Sequence, residues 1–502
     1  MQPKHLLTLV AALVLSACST MAPTYEQPAA PVAASWPTGS AYATPTAATT
    51  AAADIPWRDF ILDERLRQVI DQALANSRDL RKTIANIESA RAQYRVQRAA
   101  ELPTVNAGVS GTRARGTVSG SNGGSGGTAT GIAESASASI GISSYELDLF
   151  GRVRSLSDAA LETYLATEEA ARATRISLIA ETATAWYTLA ADRNQLAMAQ
   201  STLQSAQNSK ALTQKRLEAG VTSRVDVSQA ETVVQQARAD VASATTTIAQ
   251  DRNALELLAG SSISETLLPT ELPDASSSLA AVPAGLASSV LLQRPDVLQA
   301  EHQLKSANAN IGAARAAFFP TLSLTASGGV ASAALSSLFS GGATIWSLAP
   351  ALSLPIFDGG AHKANLAYAE AQQKLYVATY ELAVQTAFRE VADALARQGT
   401  MREQLAAQGA LVAAASDSYQ LATARYVKGV DSFLNALDAQ RTLYSAQKSL
   451  VTARLAAFDN QVTLYRALGG GGGDAGDVGG NDTQPLRPVA DGKSAGSARS
   501  TS

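Results

Sequence analysis

The sequence predicts a mixed, mainly helical fold in which long antiparallel helical hairpins accompany four β-strands, with the arrangement written twice along the chain. Apolar residues make up 46% of the 502 residues but aromatic residues only 5%. The apolar share is therefore largely small and aliphatic, and alanine is the commonest residue. This composition favours long helices packed closely side by side over the roughly three compact domains that such a length ordinarily gives.

An internal repeat divides the chain into two halves. The matching segments are 79–103 with 296–320, 145–151 with 352–358, and 217–221 with 426–430. Together they place the second copy about 210 residues downstream of the first, a period too long for a solenoid and typical of a duplicated half.

Within each half the pattern predicts a helix, a strand, a loop, a second strand and a long helical hairpin. Apolar residues alternate with small or polar ones after Pro103 and after Pro320, which predicts strands of about ten residues. The last strand shows the clearest alternation, with one face formed by Trp346, Leu348, Leu352, Leu354 and Ile356. Gly- and Ser-rich loops are expected at 119–131 and 328–342.

The second strand of the first half changes phase part-way along its length. Ile140 and Ile142 alternate out of register with Tyr145 and the apolar residues that follow it. This change predicts a β-bulge near Ser143 and Ser144.

Heptad spacing marks the helices that follow the strands. Apolar residues recur every seven positions from Val227 to Leu255, and the same spacing holds from 436 to 464. Upstream, one helix is expected from about Arg152 to Leu217, which would make it roughly 100 Å long. Helices of this length predict an elongated antiparallel bundle or tube. Each hairpin is expected to reverse at a glycine, Gly220 in the first half and Gly429 in the second, because glycine readily adopts positive φ.

The N-terminus resembles the lipobox of bacterial lipoproteins. Lys4 begins a short basic region, residues 6–15 are apolar, and the only cysteine of the chain, Cys18, follows closely. The resemblance implies that residues 1–17 are a signal peptide and that Cys18 carries a diacylglycerol and an N-acyl chain. Ser19 at the next position implies delivery to the outer membrane. No other stretch reaches 18 consecutive apolar residues, so further membrane contact must be made by strands.

Four strands cannot form a closed barrel in one chain. An open sheet in lipid would leave the backbone groups of its edges without partners, and the smallest closed membrane barrels have about eight strands. Several chains must therefore pool their strands. A dimer would give eight strands around a filled interior, whereas a trimer would give twelve around a lumen.

Several motifs resemble those of the outer-membrane factors of Gram-negative tripartite efflux pumps, the TolC-like family, and most closely its lipidated OprM/CusC-type branch. Besides the lipobox, they are Trp57-Arg58-Asp59-Phe60, residues 73–81, Arg294-Pro295-Asp296-Val297, Phe318-Phe319-Pro320 and residues 355–360. The resemblance covers nearly the whole mature chain. It implies a homotrimer with a 12-stranded transmembrane β-barrel, a periplasmic α-barrel and an equatorial domain. It further implies a periplasmic adaptor protein and an inner-membrane RND-type transporter as partners.

The same resemblance implies functional residues at the periplasmic hairpin tips. The resting gate would be formed by Leu434, Asp438 and Arg441 of the second tip and by Asp226 of the first. The adaptor would contact the tip turns Gly220, Val221, Gly429 and Val430. Asn435 stands where some relatives carry Asp, which argues against two acidic rings in each trimer.

Six segments follow from the repeat and the resemblance. They are the signal peptide 1–17, a lipidated extended segment 18–60, a first repeat 61–260, a Pro-rich connector 261–295, a second repeat 296–468 and a Gly-rich tail 469–502 that is expected to be disordered.

Charge and motifs disfavour other functions. Forty basic against 43 acidic residues do not suggest a nucleic-acid binder. Asp491-Gly492-Lys493-Ser494 echoes a phosphate-binding loop, but Arg487 occupies the position of the required first glycine. We therefore expect a passive, non-enzymatic duct for small molecules, without a cofactor or a metal. The alternatives are a duct for type I protein secretion or metal-ion efflux, and a coiled-coil lipoprotein without a pore.

Overall fold

The computed structural model describes residues 20–42, 54–119, 128–282, 288–340 and 343–471. The predicted signal peptide, the lipid site Cys18 and the Gly-rich tail beyond residue 471 lie outside the described residues. Within the described part, no helix is both long enough and apolar enough to cross a membrane.

Seven helices longer than two turns build most of the described chain. They are α1 (Glu64–Asn76), α2 (Arg78–Ala99), α3 (Arg152–Glu218), α4 (Arg224–Ala259), α5 (Pro295–Ala316), α6 (Ala361–Val427) and α7 (Phe433–Ala467). Short helical turns lie at Trp57–Phe60, Glu265–Leu267, Ala275–Ser278, Ser288–Gln293 and Leu335–Ser337. Helix α3 packs against α2, α4, α5 and α7, while α6 packs against α5 and α7.

The two longest helices, α3 and α6, have 67 residues each. The observed bounds of α3 confirm the helix expected from about Arg152 to Leu217. A left-handed glycine precedes each helix, Gly151 with φ 72° and Gly360 with φ 92°. The heptad positions of α4 face its neighbours, since Val234 and Leu255 are buried. The elongated hairpins that the spacing predicted are therefore present.

The four strands form one antiparallel sheet in the order β1-β2-β3-β4. Their bounds are Val105–Ser119, Thr128–Leu147, Thr321–Ser332 and Thr344–Ser353. The prediction of about ten residues is wrong for the first half, where β1 has 15 residues and β2 has 20. Leu354 and Ile356 lie beyond the end of β4. Strand structure also occupies parts of both predicted loops, at 119 and 128–131 in the first and at 328–332 in the second.

The predicted bulge is confirmed. The register of β2 against β3 shifts between Ile142 and Tyr145, and Ser144 adopts φ 51°. On either side of the shift, Ile142 pairs with Ala326 and Tyr145 with Leu324. Because both partners have even numbers, they lie on the same face of β3. The bulge thus keeps the apolar residues of β2 on one face of the sheet.

The largest core joins three segments that are distant in sequence. Phe60, from the N-terminal region, stacks on Tyr465 near the end of α7 with ring centroids 4.0 Å apart. From the connector, the carbonyl of Leu267 accepts a 3.0 Å hydrogen bond from the indole of Trp186 in α3. The N-terminal region, the connector and the end of α7 therefore meet α3 in one core.

Residues 20–36 run across the helices as an extended strap. Asn308 of α5 donates a 2.7 Å hydrogen bond to the carbonyl of Pro23, and Trp36 stacks on Phe388 of α6. Gly312 of α5 allows the close approach, because a Cβ there would lie 2.6 Å from the backbone nitrogen of Ala22. The strap is therefore held against both α5 and α6.

Candidate functional site at the hairpin tips

Both hairpins reverse at the predicted glycines. Gly220 has φ 71° and Gly429 has φ 77°, so each follows its long helix in the left-handed conformation that a C-terminal turn requires. The next residues, Val221 and Val430, are each 62% exposed. The structure thus places the four predicted adaptor-contacting residues at the two turns.

In the first tip, Asp226 completes a capping box at the start of α4. Its carboxylate accepts hydrogen bonds from the backbone and hydroxyl of Ser223, at 3.0 and 2.9 Å, and from the hydroxyl of Thr222 at 2.6 Å. Ser223 in turn accepts from the Asp226 backbone. The hydrogen bond from Thr222 contributes most to lowering the pKa of Asp226. This carboxylate therefore has a structural task besides its predicted place in the gate.

The second tip lacks the matching box. Ser432 and Asn435 occupy the positions that correspond to Ser223 and Asp226 in the repeat, but Ser432 makes no side-chain cap at the start of α7. An ion pair closes this turn instead. Arg425 donates to Asp431 at 2.5 and 3.2 Å, and these hydrogen bonds lower the pKa of the aspartate.

Arg216 links the two tips. It corresponds to Arg425 in the repeat, but its own hairpin has Thr222 where the second has Asp431. The guanidinium of Arg216 therefore reaches across to Tyr426 of the other hairpin. Beside this contact, Tyr426 and Phe433 form a small apolar core with Ala230, Ala436 and Leu437.

The predicted gate residues of the second tip lie on the first turns of α7. Asp438 and Arg441 approach to 3.9 Å, and both side chains are 62% exposed, while Leu434 is 47% exposed. Within one chain they are open to solvent. The structure brings Asp438 and Arg441 together as a loose pair, whereas Asp226 belongs to the separate capping box of the other tip.

Sequence reasoning missed the contact of Arg216 with Tyr426 and the pair of Arg425 with Asp431. The repeat alignment held the signal, because Arg216 and Arg425 occupy equivalent positions and only the second has an aspartate six residues later. An arginine without its local carboxylate is available for a longer-range partner.

At the other end of the molecule, the sheet has two unlike faces. One carries apolar residues, among them Val105, Val109, Ile140, Trp346 and Leu348, all of which are exposed in the single chain. The opposite face carries hydroxyls that pair across strands, Ser110 with Ser137 and Ser327 with Ser347, each at 2.8 Å. A sheet with one apolar and one hydroxyl-rich face suits a boundary between lipid and water.

A two-faced sheet of four strands continued by two long helical hairpins defines the outer-membrane channel class. A family model for outer membrane efflux proteins matches residues 69–261 and 286–470. The toluene efflux pump outer membrane protein TtgC of Pseudomonas putida is 49% identical over 470 residues, or 93% of this chain and 96% of that protein. The chain therefore belongs to the outer membrane efflux protein family, which is a family of channels and not of enzymes.

Solved structures agree with this assignment. The crystal structure of a membrane protein from Pseudomonas aeruginosa superposes with a TM-score of 0.84 at 44% identity, covering 92% of this chain and 99% of that one. The open state of the MtrE outer membrane channel of Neisseria gonorrhoeae gives a TM-score of 0.80 at 39% identity, covering 90% and 99%. The protein is an outer-membrane efflux channel with a periplasmic helical part.

Proposed function

We propose that three copies of this chain form a passive duct that carries small molecules from the periplasm to the outside. The observation that carries the proposal is the sheet, in which β1 and β4 are edges and one face is apolar. In lipid, the backbone groups of both edges need partners. The β4 edge of one chain pairing with the β1 edge of the next supplies them, and three chains close a barrel of twelve strands.

A stripe on α6 supports the same head-to-tail assembly. Tyr368, Leu375 and Leu382 recur at intervals of seven residues and are exposed in the single chain. Val96 on α2 and Leu102 just after it are exposed as well. Since α2 and α6 border the helical layer at opposite ends, the stripe of one chain meets α2 of the next when the ring closes.

The hairpin tips form the periplasmic entrance of this duct. Three copies of Asp438 near one axis attract cations and repel each other, and Arg441 offsets the repulsion. Together with Leu434 and Asp226 they constitute the proposed resting gate. Gly220, Val221, Gly429 and Val430 contact a periplasmic adaptor protein, which links the duct to an inner-membrane RND-type transporter.

Acyl chains on Cys18 anchor each subunit in the inner leaflet of the outer membrane. The strap supports this, because its first described residue, Thr20, shares a 2.7 Å hydrogen bond with Ser155 at the start of α3. That end of α3 directly follows β2, so the described part of the strap begins at the base of the sheet.

Small amphiphiles are the proposed cargo, as the name of the related toluene efflux pump protein suggests. The test is to delete the gene, complement the strain with the wild-type chain, and measure susceptibility to aromatic solvents, antimicrobials and metal ions, together with the level of secreted proteins. We expect restored tolerance to solvents and antimicrobials. Restoration of metal tolerance or protein secretion alone would favour the other ducts, and no change in any arm would argue against a duct.

A further inference from the structure

A recess of about 660 Å³ opens in the helical wall between α3, α5 and α6. Its polar lining consists mainly of carboxamides, namely Gln299, Gln303, Asn310, Asn365 and Gln372, together with the rings of Tyr368 and Tyr376. None of the described residues that line it carries a charge. The volume falls within the range of pockets for small molecules.

The recess and the strap lie on opposite faces of α5. The strap contacts Glu301, which accepts a hydrogen bond from Tyr25, and Asn308, which donates one to Pro23. Gln303 lies two residues after Glu301, and Asn310 lies two residues after Asn308. Two residues correspond to a rotation of about 200° around the helix. One face of α5 is therefore covered by the strap, and the opposite face opens into the recess.

The strap also indicates which face of the wall points to the lumen, and this step rests on the proposed function. A lipid on Cys18 inserts in the membrane that surrounds the barrel, so the strap runs along the outside of the tube. The face of α5 opposite the strap is then the inner wall. Because α5 leads into β3, the recess lies directly below the barrel on the route of the cargo.

We propose that this recess is a binding site, one in each subunit, for uncharged aromatic solutes that carry hydroxyl or amide groups. Each carboxamide offers both donors and an acceptor, and the ring of Tyr376 supplies a surface on which an aromatic group stacks. A charged solute finds no counter-ion among the lining residues and loses hydration on entry. The site favours uncharged over ionic solutes.

The test uses the purified full-length protein in detergent micelles and 4-nitrophenyl β-glucoside, an uncharged aromatic with hydroxyls. Saturation-transfer NMR reports its contact with the protein, and titration gives its affinity. Wild-type protein is expected to bind the glucoside at least about tenfold more tightly than 4-nitrophenyl phosphate, which corresponds to about 1.4 kcal/mol. The variant Gln303→Glu places a carboxylate in the recess and is expected to lose at least about tenfold in glucoside affinity.

The matched control is Gln420→Glu, which makes the same change at an exposed amide of α6 outside the recess. Its glucoside affinity is expected to equal that of the wild type. Gln303→Glu is also expected to gain contact with the aromatic cation benzamidine. Equal binding of glucoside and phosphate by the wild type, or equal losses in the two variants, would overturn the proposal. Because binding is measured without transport, such a result leaves the susceptibility test of the duct independent.

Discussion

The guanidinium of Arg216 lies over the ring of Tyr426, 4.6 Å from its centroid, and donates a 2.7 Å hydrogen bond to the carbonyl of the same residue. The hydroxyl of Tyr426 shares a 3.0 Å hydrogen bond with Thr213. Two residues of the first hairpin thus hold one aromatic residue of the second. If the tips form the gate, this contact fixes how the two hairpins of one chain move relative to each other.

We expect Arg216→Gln to loosen the tips and raise the leak conductance in planar bilayers. The change removes the cation–π contact, which contributes about 0.5–2 kcal/mol, together with the hydrogen bond of the guanidinium. Lys215→Gln is the control, because it removes a positive charge from the exposed neighbouring position. Equal conductance of the two variants would show that charge, and not the contact with Tyr426, controls the leak.

Asp438→Ala combined with Arg441→Ala is also expected to raise the leak conductance. Within one chain this exposed pair contributes less than about 1 kcal/mol, so a large effect must come from the copies that meet at the axis. Asp438→Ala alone is expected to reduce the preference for cations. Wild-type conductance in the double variant would remove these residues from the gate.

Arg294→Lys is expected to destabilise the protein by about 1–3 kcal/mol, because lysine keeps the positive charge but leaves buried acceptors without a hydrogen bond. The Arg294 side chain is only 9% exposed. It donates to Asp296, to Glu390 of α6 and to the carbonyl of Ala467 at the end of α7. The single ammonium group of a lysine cannot make all the hydrogen bonds that the planar guanidinium makes to these three residues.

Thermal unfolding followed by circular dichroism measures the effect of Arg294→Lys. The control is Arg58→Lys, because the pair of Arg58 with Asp71 is exposed on both sides and should contribute less than about 1 kcal/mol. A loss of stability in Arg294→Lys no larger than in the control would contradict the structural role of Arg294.

The contribution of Asp251 to stability is expected to fall as the pH rises from about 4 to about 7. The pKa of Asp251 is raised from 3.8 to about 7, first by burial and then by a hydrogen bond with Asp192 and by repulsion between the two carboxylates. The folded state therefore holds a proton in this window that the unfolded state has released, and its advantage disappears as the proton leaves. Asp251→Asn should flatten the dependence of the melting temperature on pH, whereas Asp417→Asn, at an exposed position of α6, should leave it unchanged.

Patterns within one chain segment predicted the helices, the turns and the bulge, because hydrophobic spacing and glycine conformation act locally. The lengths of β1 and β2 were underestimated, since Gly- and Ser-rich segments resemble loops until a neighbouring strand pairs with them. The capping box of Ser223 and Asp226 is predictable from the sequence, because Ser-x-x-Asp is a pattern typical of the start of a helix. The contacts of Arg216 and Arg294 depend on how distant segments pack, and periodicity carries no information about that packing.

Deleting Ser144 is expected to abolish assembly of the barrel. The bulge keeps Ile140 and Ile142 on the same face as Tyr145 and Leu147, and a shift by one residue would turn one of these sets to the opposite face. Apolar side chains would then point to water and polar ones to lipid. The oligomer that resists SDS without heating, together with the amount of protein inserted in the outer membrane, measures assembly.

Ser144→Gly is the matched control for the deletion. It retains the extra residue and removes the cost of φ 51° at a non-glycine position, which is about 1 kcal/mol or more. The hydrogen bond from the Ser144 backbone to the hydroxyl of Thr325 is unaffected by the change of side chain. We therefore expect wild-type or greater thermal stability and normal assembly in Ser144→Gly. Normal assembly of the deletion as well would mean that the faces of β2 do not determine how the sheet enters the membrane.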